Sequence, residues 1–233
     1  CAWHHPGGHP ARAAGLAAVL TAASLALPPH ALVRALTGED RVAQVLQNRH
    51  GIIHTVGTGD RGLTVYGGNA YDGTTAVDLA TNANALDRAV VLLTVHPRPE
   101  RVLVLGLSAG AWTRLLTASP EVREIVVLEI NPAYLDLVRQ TPETAPLLAD
   151  PRVRVHIDDG RRWLRRHPQE RFDLIVQNNS FHWRAYSNNL LSREHLLLAR
   201  EHLRPGGIVA WNSTFSADVL ATAESVLRHT ERR

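Results

Sequence analysis

From residue 101 onwards, short continuous apolar runs alternate with segments whose apolar positions recur every three or four residues. The runs fall at 101–105, 124–129, 152–157, 172–177 and 207–212 and include "IVVLEI" and "FDLIVQ". Strands of this kind are buried on both faces. Helical spacing falls between and after them, near 109–118, 132–139, 159–166, 192–203 and 216–229. Strands alternating with helices predict βαβ units joined by right-handed crossovers, so residues 99–233 read as a Rossmann-like, doubly wound α/β domain with a parallel sheet.

Upstream the period changes. The segments "RVAQVLQN", "GIIHTV" and "LTVYGG" are punctuated by glycines at 51, 57, 59, 62, 67 and 68, which predicts a small antiparallel sheet over 41–70. Residues 82–95 have helical spacing and stop at His96-Pro97. Residues 41–98 therefore form a β-rich cap with one helix. Before the cap, 1–40 read as an apolar helix and a polar linker, "TGED". The uncharged run 13–27 ends at Pro28 and Pro29 and is shorter than the roughly 20 residues a membrane-spanning helix needs. Three readings of it stand: the end of a longer membrane helix, a docked or amphipathic helix, or a signal-type apolar region. Cys1 is not an initiator and the sequence holds no Met, which suggests a fragment or a processed product.

Composition narrows the function classes. With 45% hydrophobic and 20% charged residues the chain is ordinary globular material. The net charge of +3 comes from scattered arginines, and the one dense cluster, "RRWLRR" at 161–166, fits a solvated helix face. Nucleic acid is not an expected partner, because binding it needs a contiguous basic footprint. A single cysteine excludes an internal disulfide. The "HHPGGH" stretch lacks the Cys or acid spacing of a metal site, so no metal is expected.

In an open α/β sheet, ligands sit at the carboxyl ends of the strands. The first strand runs into Gly106, Ser108 and Gly110 at the mouth of a helix, where glycines let backbone approach a ligand. A tight strand-to-helix turn needs small residues anyway, and a serine stands where such loops often carry a middle glycine. Glu129 ends the second strand 23 residues beyond Gly106, close to the roughly 20-residue offset at which an acid meets a ribose hydroxyl. Its other reading is a helix N-terminal acid before Asn131-Pro132. The third strand ends in Asp158, Asp159 and Gly160. Carboxylates there can accept from an adenine amino group, or can cap the helix of "RRWLRR".

Five stretches, "VLVLGLSAG", "VLEINPAYL", "DDGRRWL", "FDLIVQN" and "HLRPGGIVAWN", resemble the spermidine synthase (polyamine aminopropyltransferase) family, whose fold is of the S-adenosylmethionine-dependent methyltransferase type. The resemblance spans about 41–215 and is nearest to a bacterial branch fused to membrane helices. It implies a β-rich cap, and it makes the apolar run the end of a membrane region. It implies decarboxylated S-adenosylmethionine, or S-adenosylmethionine, as co-substrate, with no metal. Glu129 would hold the ribose diol, Asp158 or Asp159 the adenine, and Gly106, Ser108, Gly110 and Gly160 would complete the nucleoside site. The implied partners are a polyamine or other small acceptor and a second copy of the chain as a homodimer, located in the cytoplasm or at the cytoplasmic face of a membrane.

The acceptor side departs from that pattern. The family loop is richer in glycine and carries an aspartate, whereas this one reads "GLSAGAW". The family's carboxylate after the fourth strand is here Asn178, and Phe181 stands where a further acid would grip a polyamine. An amide is no base. His182 is a candidate substitute base, or packs a loop together with Trp183. Tyr71, in "NAYDG", is a candidate gating-loop residue, Asp72, Asp78 and Asp87 are candidate pocket carboxylates, and Arg184 would repel a polyamine if it pointed inward. The expected activity is transfer of an aminopropyl or related alkyl group at a remodelled acceptor site. The alternatives are a small-molecule methyltransferase and a non-catalytic nucleoside-binding domain of a membrane protein.

Overall fold

Whether a strand is covered on one face or two decides where each sheet lies. The structure is a computed structural model that describes residues 10–26, 28–39, 41–57, 62–177, 181–184, 187–212, 215–227 and 229–230. Helices α1 (Pro10–Ala26) and α2 (Pro29–Thr37) lead into β1 (Val42–Asn48), β2 (Gly51–Val56), β3 (Thr64–Gly67) and β4 (Ala70–Thr74), an antiparallel sheet in sequential order. Helix α3 (Leu86–Val95) follows. The second sheet comprises β5 (Arg101–Leu105), β6 (Glu124–Glu129), β7 (Val153–Ile157), β8 (Phe172–Gln177) and β9 (Leu203–Trp211). All its pairings are parallel, in the order β7-β6-β5-β8-β9.

Successive side chains of the central strands go to opposite faces. Val102, Val104, Ile125, Val127, Leu174 and Val176 join one core layer with Leu116 and Leu147. Leu103, Leu105, Val126, Leu128 and Ile175 join the other with Leu164 and Ala199. The helices that supply these layers are α4 (Ala111–Leu116), α5 (Pro132–Gln140), α6 (Gly160–Arg166) and α8 (Arg193–Glu201), with a short 3-10 turn at Ala145–Ala149. Helices α7 (Ser187–Leu190) and α9 (Ala217–Glu224) complete the described elements. Strand growth reverses direction between β5 and β8, and such a switch opens a crevice at the strands' carboxyl ends. The cap covers this crevice: Ile53 and Val65 pack on Ala109, Ala133, Tyr134 and Leu137.

Three segments differ from the sequence expectation. The antiparallel sheet does not stop near residue 70. Gly68 and Asn69 take φ of 57° and 61°, the left-handed pair of a tight hairpin, and return the chain as β4. Tyr71 and Asp72 of the expected gating loop are therefore strand residues. The expected break at Pro28 and Pro29 instead opens α2 ahead of the polar linker, because Pro29 is pre-set for a first helical position and Gly38, at φ 71°, closes the far end with its N–H on the Arg34 carbonyl. Strand β9 begins at Leu203 rather than 207, with a register irregularity at its start.

The described side chains of α1 are exposed, Leu16, Val19 and Leu20 by 62%, 65% and 61%. Among the described residues no helix is long and apolar enough to cross a membrane. The 17 residues of α1 span about 25 Å, against a hydrocarbon core of about 30 Å.

Ile53 is the largest of the fully buried cap side chains packed on the α/β domain, at 1% exposure. Ile53→Ala is expected to cost about 2–5 kcal/mol, the range for an aliphatic truncation in a packed core. Urea unfolding checks this, and a cost near zero would mean that the cap does not contribute to the cooperative unit.

Candidate functional site

The crevice between the cap and the carboxyl ends of β5 and β6 holds a cavity of about 370 Å³, lined by Gly106, Ser108, Gly110, Glu129, Asp72, Tyr134, Trp183 and Arg184 among others. Its floor is the loop after β5. Gly106, Ser108 and Gly110 all have positive φ, at 91°, 49° and 80°. At Gly110 neighbouring side chains also crowd the space, since a Cβ would sit 2.8 Å from Leu147 Cδ2 and 3.0 Å from Val138 Cγ2. At Gly106 a Cβ would meet nothing, so only the backbone angle requires glycine there. Ser108 stands in the left-handed region at a modest cost, and its hydroxyl donates to the Asp72 carbonyl of the cap. The serine in the middle of the loop is thus a tether.

Glu129 is 4% exposed and closes the back wall. One carboxylate oxygen accepts from the Leu107 N–H at 2.7 Å and the other from the Asn131 N–H at 2.8 Å. Burial pushes its pKa from the ordinary 4.5 up to about 7, against the opposing pull of those backbone donors. Asn131 in turn caps α5 through Ala133 N–H at 3.1 Å and accepts from Asn48 of β1 at 2.7 Å.

The facing wall is a three-way contact. Arg184 Nη1 donates to Asp72 Oδ1 at 2.5 Å, the Tyr134 hydroxyl donates to Asp72 Oδ2, and Arg184 Nη2 donates to the Tyr134 hydroxyl at 3.2 Å. Burial raises the Tyr134 pKa well above the usual phenol range, with the Asp72 charge adding to it, so the hydroxyl stays a neutral donor. A side chain on Gly67 would collide with both Arg184 and Tyr134. The sequence holds a signal for Tyr134, a polar-tipped aromatic on the buried face of α5 just after Glu129. It holds none for the contact itself, which joins three separate elements.

The remaining expectations divide. Asp158 and Asp159 do not line the cavity. Asp159 caps α6 through Arg162 N–H at 2.9 Å, the helix-capping contact that was its other reading, while Asp158 accepts from the Asp159 N–H at 2.7 Å and from Arg162 Nε at 2.5 Å. Gly160 packs on Leu105, 2.9 Å from where a Cβ would sit. Asp78 tightens a turn by accepting from Ala80 N–H, and Asp87 is an exposed residue of the first turn of α3. Tyr71, 41% exposed, lines a second cavity of about 210 Å³ that also reaches Asp72, Arg88 and Trp112. His182 is exposed and outside the cavity lining, while Phe181 stacks on Trp183 at 4.9 Å. Asn178 and the "HHPGGH" stretch lie outside the described residues.

An open parallel sheet of this order, with a small-residue loop after its central strand and a buried acid ending the next, defines an α/β fold of the methyltransferase type. Residues 89–229 match the spermine/spermidine synthase domain, and the chain belongs to that family. It is 40% identical over 86 residues to a polyamine aminopropyltransferase of Leptospira biflexa, covering 36% of this chain and 30% of that protein. To that of Agathobacter rectalis it is 33% identical over 122 residues, or 52% and 42% of the two. The matched stretches thus span less than half of these curated relatives. Two solved structures share the fold at 17% identity and 82% coverage of this chain. A spermidine synthase in complex with the transition-state analogue AdoDATO has a TM-score of 0.71 over 67% of its length. The spermidine synthase of Thermotoga maritima has 0.66 over 66%.

The raised pKa of Glu129 means that the folded chain holds this proton more tightly than the unfolded one. The stability it contributes is therefore full below about pH 4.5 and lost as pH rises to about 7. About 3 kcal/mol should disappear across that window, at about 1.36 kcal/mol for each pH unit. Glu129→Gln should flatten this part of the urea-unfolding profile, and an unchanged profile would place the titration elsewhere.

Proposed function

We propose that the chain is a spermidine-synthase-like transferase that binds decarboxylated S-adenosylmethionine and passes its aminopropyl group to a small acceptor. The observation that carries the reading is Glu129. A carboxylate offers about four lone-pair positions. The backbone donors Leu107, Asn131 and Ser108 take up to three, which leaves a position to accept from a ribose hydroxyl. A nucleoside sulfonium brings no phosphate for the positive-φ loop beside it to cradle, and Asp158 or Asp159, outside the cavity lining, is assigned to the adenine. The named activity of the aminopropyltransferase relatives and the AdoDATO complex of the structural neighbour support the same co-substrate. Tyr71, Asp72 and His182 are assigned to the acceptor side, together with Asn178.

Methylthioadenosine, the nucleoside product of such a transfer, tests the site without turnover. Calorimetry should show it binding, and Glu129→Ala should weaken it by about 1–3 kcal/mol, the range for a buried partner left without its hydrogen bond. Unchanged affinity in the variant would remove Glu129 from the site. Single-turnover product analysis with S-adenosylmethionine and its decarboxylated form then distinguishes aminopropyl transfer, methyl transfer and binding alone.

A second reading concerns location. The exposed, uncharged middle of α1 favours association with a membrane surface, and adsorption or pairing of two copies as a homodimer would each cover it. The protein is expected to float with phospholipid vesicles in a density gradient and to lose this when residues 10–26 are removed. Light scattering that shows a dimer, with no flotation, would favour the paired form.

A further inference from the structure

The cap carboxylate that lines the cavity is neutralised from within the chain. Asp72 accepts from Arg184 at 2.5 Å and from the Tyr134 hydroxyl. The guanidinium is not a stray surface group. Its side chain is 23% exposed, its Nη2 donates to Tyr134 at 3.2 Å, and it occupies space that exists only because Gly67 has no side chain. Of the other charged groups lining the cavity, Glu129 is committed to the Leu107 and Asn131 amides on the opposite wall. A second ammonium entering this space therefore meets a carboxylate whose charge is already cancelled, and a cation beside it.

Building on the transferase reading, we propose that Arg184 is a specificity-determining residue, and that the acceptor is an amine carrying at most one positive charge rather than a diprotonated polyamine. A diamine dication leaving water needs an anionic partner for the ammonium that does not react, and burying it unpaired is costly. A monoamine has no such group. Its one nitrogen gives up a proton to solvent and attacks the aminopropyl carbon with its lone pair. The C–S bond breaks with both electrons passing to sulfur, which leaves a neutral thioether and a secondary ammonium that carries the charge the sulfonium had. Tyr134 positions the guanidinium in this arrangement through the 3.2 Å hydrogen bond to its hydroxyl.

The test is calorimetric, on the whole chain saturated with methylthioadenosine, whose binding is measured first. Failure at that stage overturns the nucleoside reading and is seen before any amine is added. n-Butylamine and putrescine are then titrated into the wild type and into Arg184→Gln. In the wild type, n-butylamine should bind at least as tightly as putrescine. In Arg184→Gln, which releases the Asp72 charge, putrescine should gain about tenfold or more over n-butylamine. A wild-type preference for putrescine of about tenfold, a ratio unmoved by the substitution, or no binding of either amine to either protein would each overturn the proposal. The wild-type comparison stands on its own if the variant's thermal melt shows that it does not fold.

Discussion

Everything at the crevice depends on how the Glu129 carboxyl survives burial. A carboxyl taken out of water is costly unless its oxygens find donors, and here the donors are two backbone amides from opposite sides, Leu107 in the loop after β5 and Asn131 at the mouth of α5. That one requirement fixes the path of the loop, and with it the left-handed residues Gly106, Ser108 and Gly110. It also fixes where α5 begins. Because α5 carries Tyr134, it determines where a phenol hydroxyl meets the cap.

The cap is joined to the α/β domain by a modest apolar cluster and by polar contacts whose geometry is narrow. Asn48 reaches Asn131, Ser108 reaches the Asp72 carbonyl, the Trp112 indole donates to the Asn84 carbonyl at 3.0 Å, and Asp72 takes Tyr134 and Arg184. The apolar contact supplies adhesion with little directional preference, whereas each hydrogen bond tolerates only a small displacement. A buried ion pair adds little net stability. Its contribution here is to set the charge that a ligand meets between the two units.

The central strands β5, β6 and β8 were legible because apolar residues on both faces leave an unbroken run, and in segments this short little but a doubly covered strand produces one. Glu129 was legible from its distance to Gly106. What misled were residues with two meanings. Pro29 read as a break and is a helix start, while Gly68-Asn69 read as the end of a sheet and is the turn inside a hairpin. Asp158 and Asp159 carried both of their meanings openly, and Asp159 makes the hydrogen bond of a helix cap while Asp158 pairs with the Arg162 side chain. The Asp72, Tyr134 and Arg184 contact was not legible, since no local pattern relates a cap strand, the first turn of α5 and the segment after β8. Only the folded chain brings them within hydrogen-bonding distance.

Gly67 ties two distant positions into one history. Its backbone angle is not of the kind reserved for glycine, and space alone keeps a side chain out, because Arg184 and Tyr134 occupy the volume a methyl group would take. Alanine at 67 presses on both the Arg184 guanidinium and the Tyr134 hydroxyl, so shortening only one of them leaves the other in the way. Change at this wall is therefore epistatic. A lineage, or an engineer, reaches a differently shaped wall only by adjusting the glycine together with both the arginine and the tyrosine that fill the space beside it.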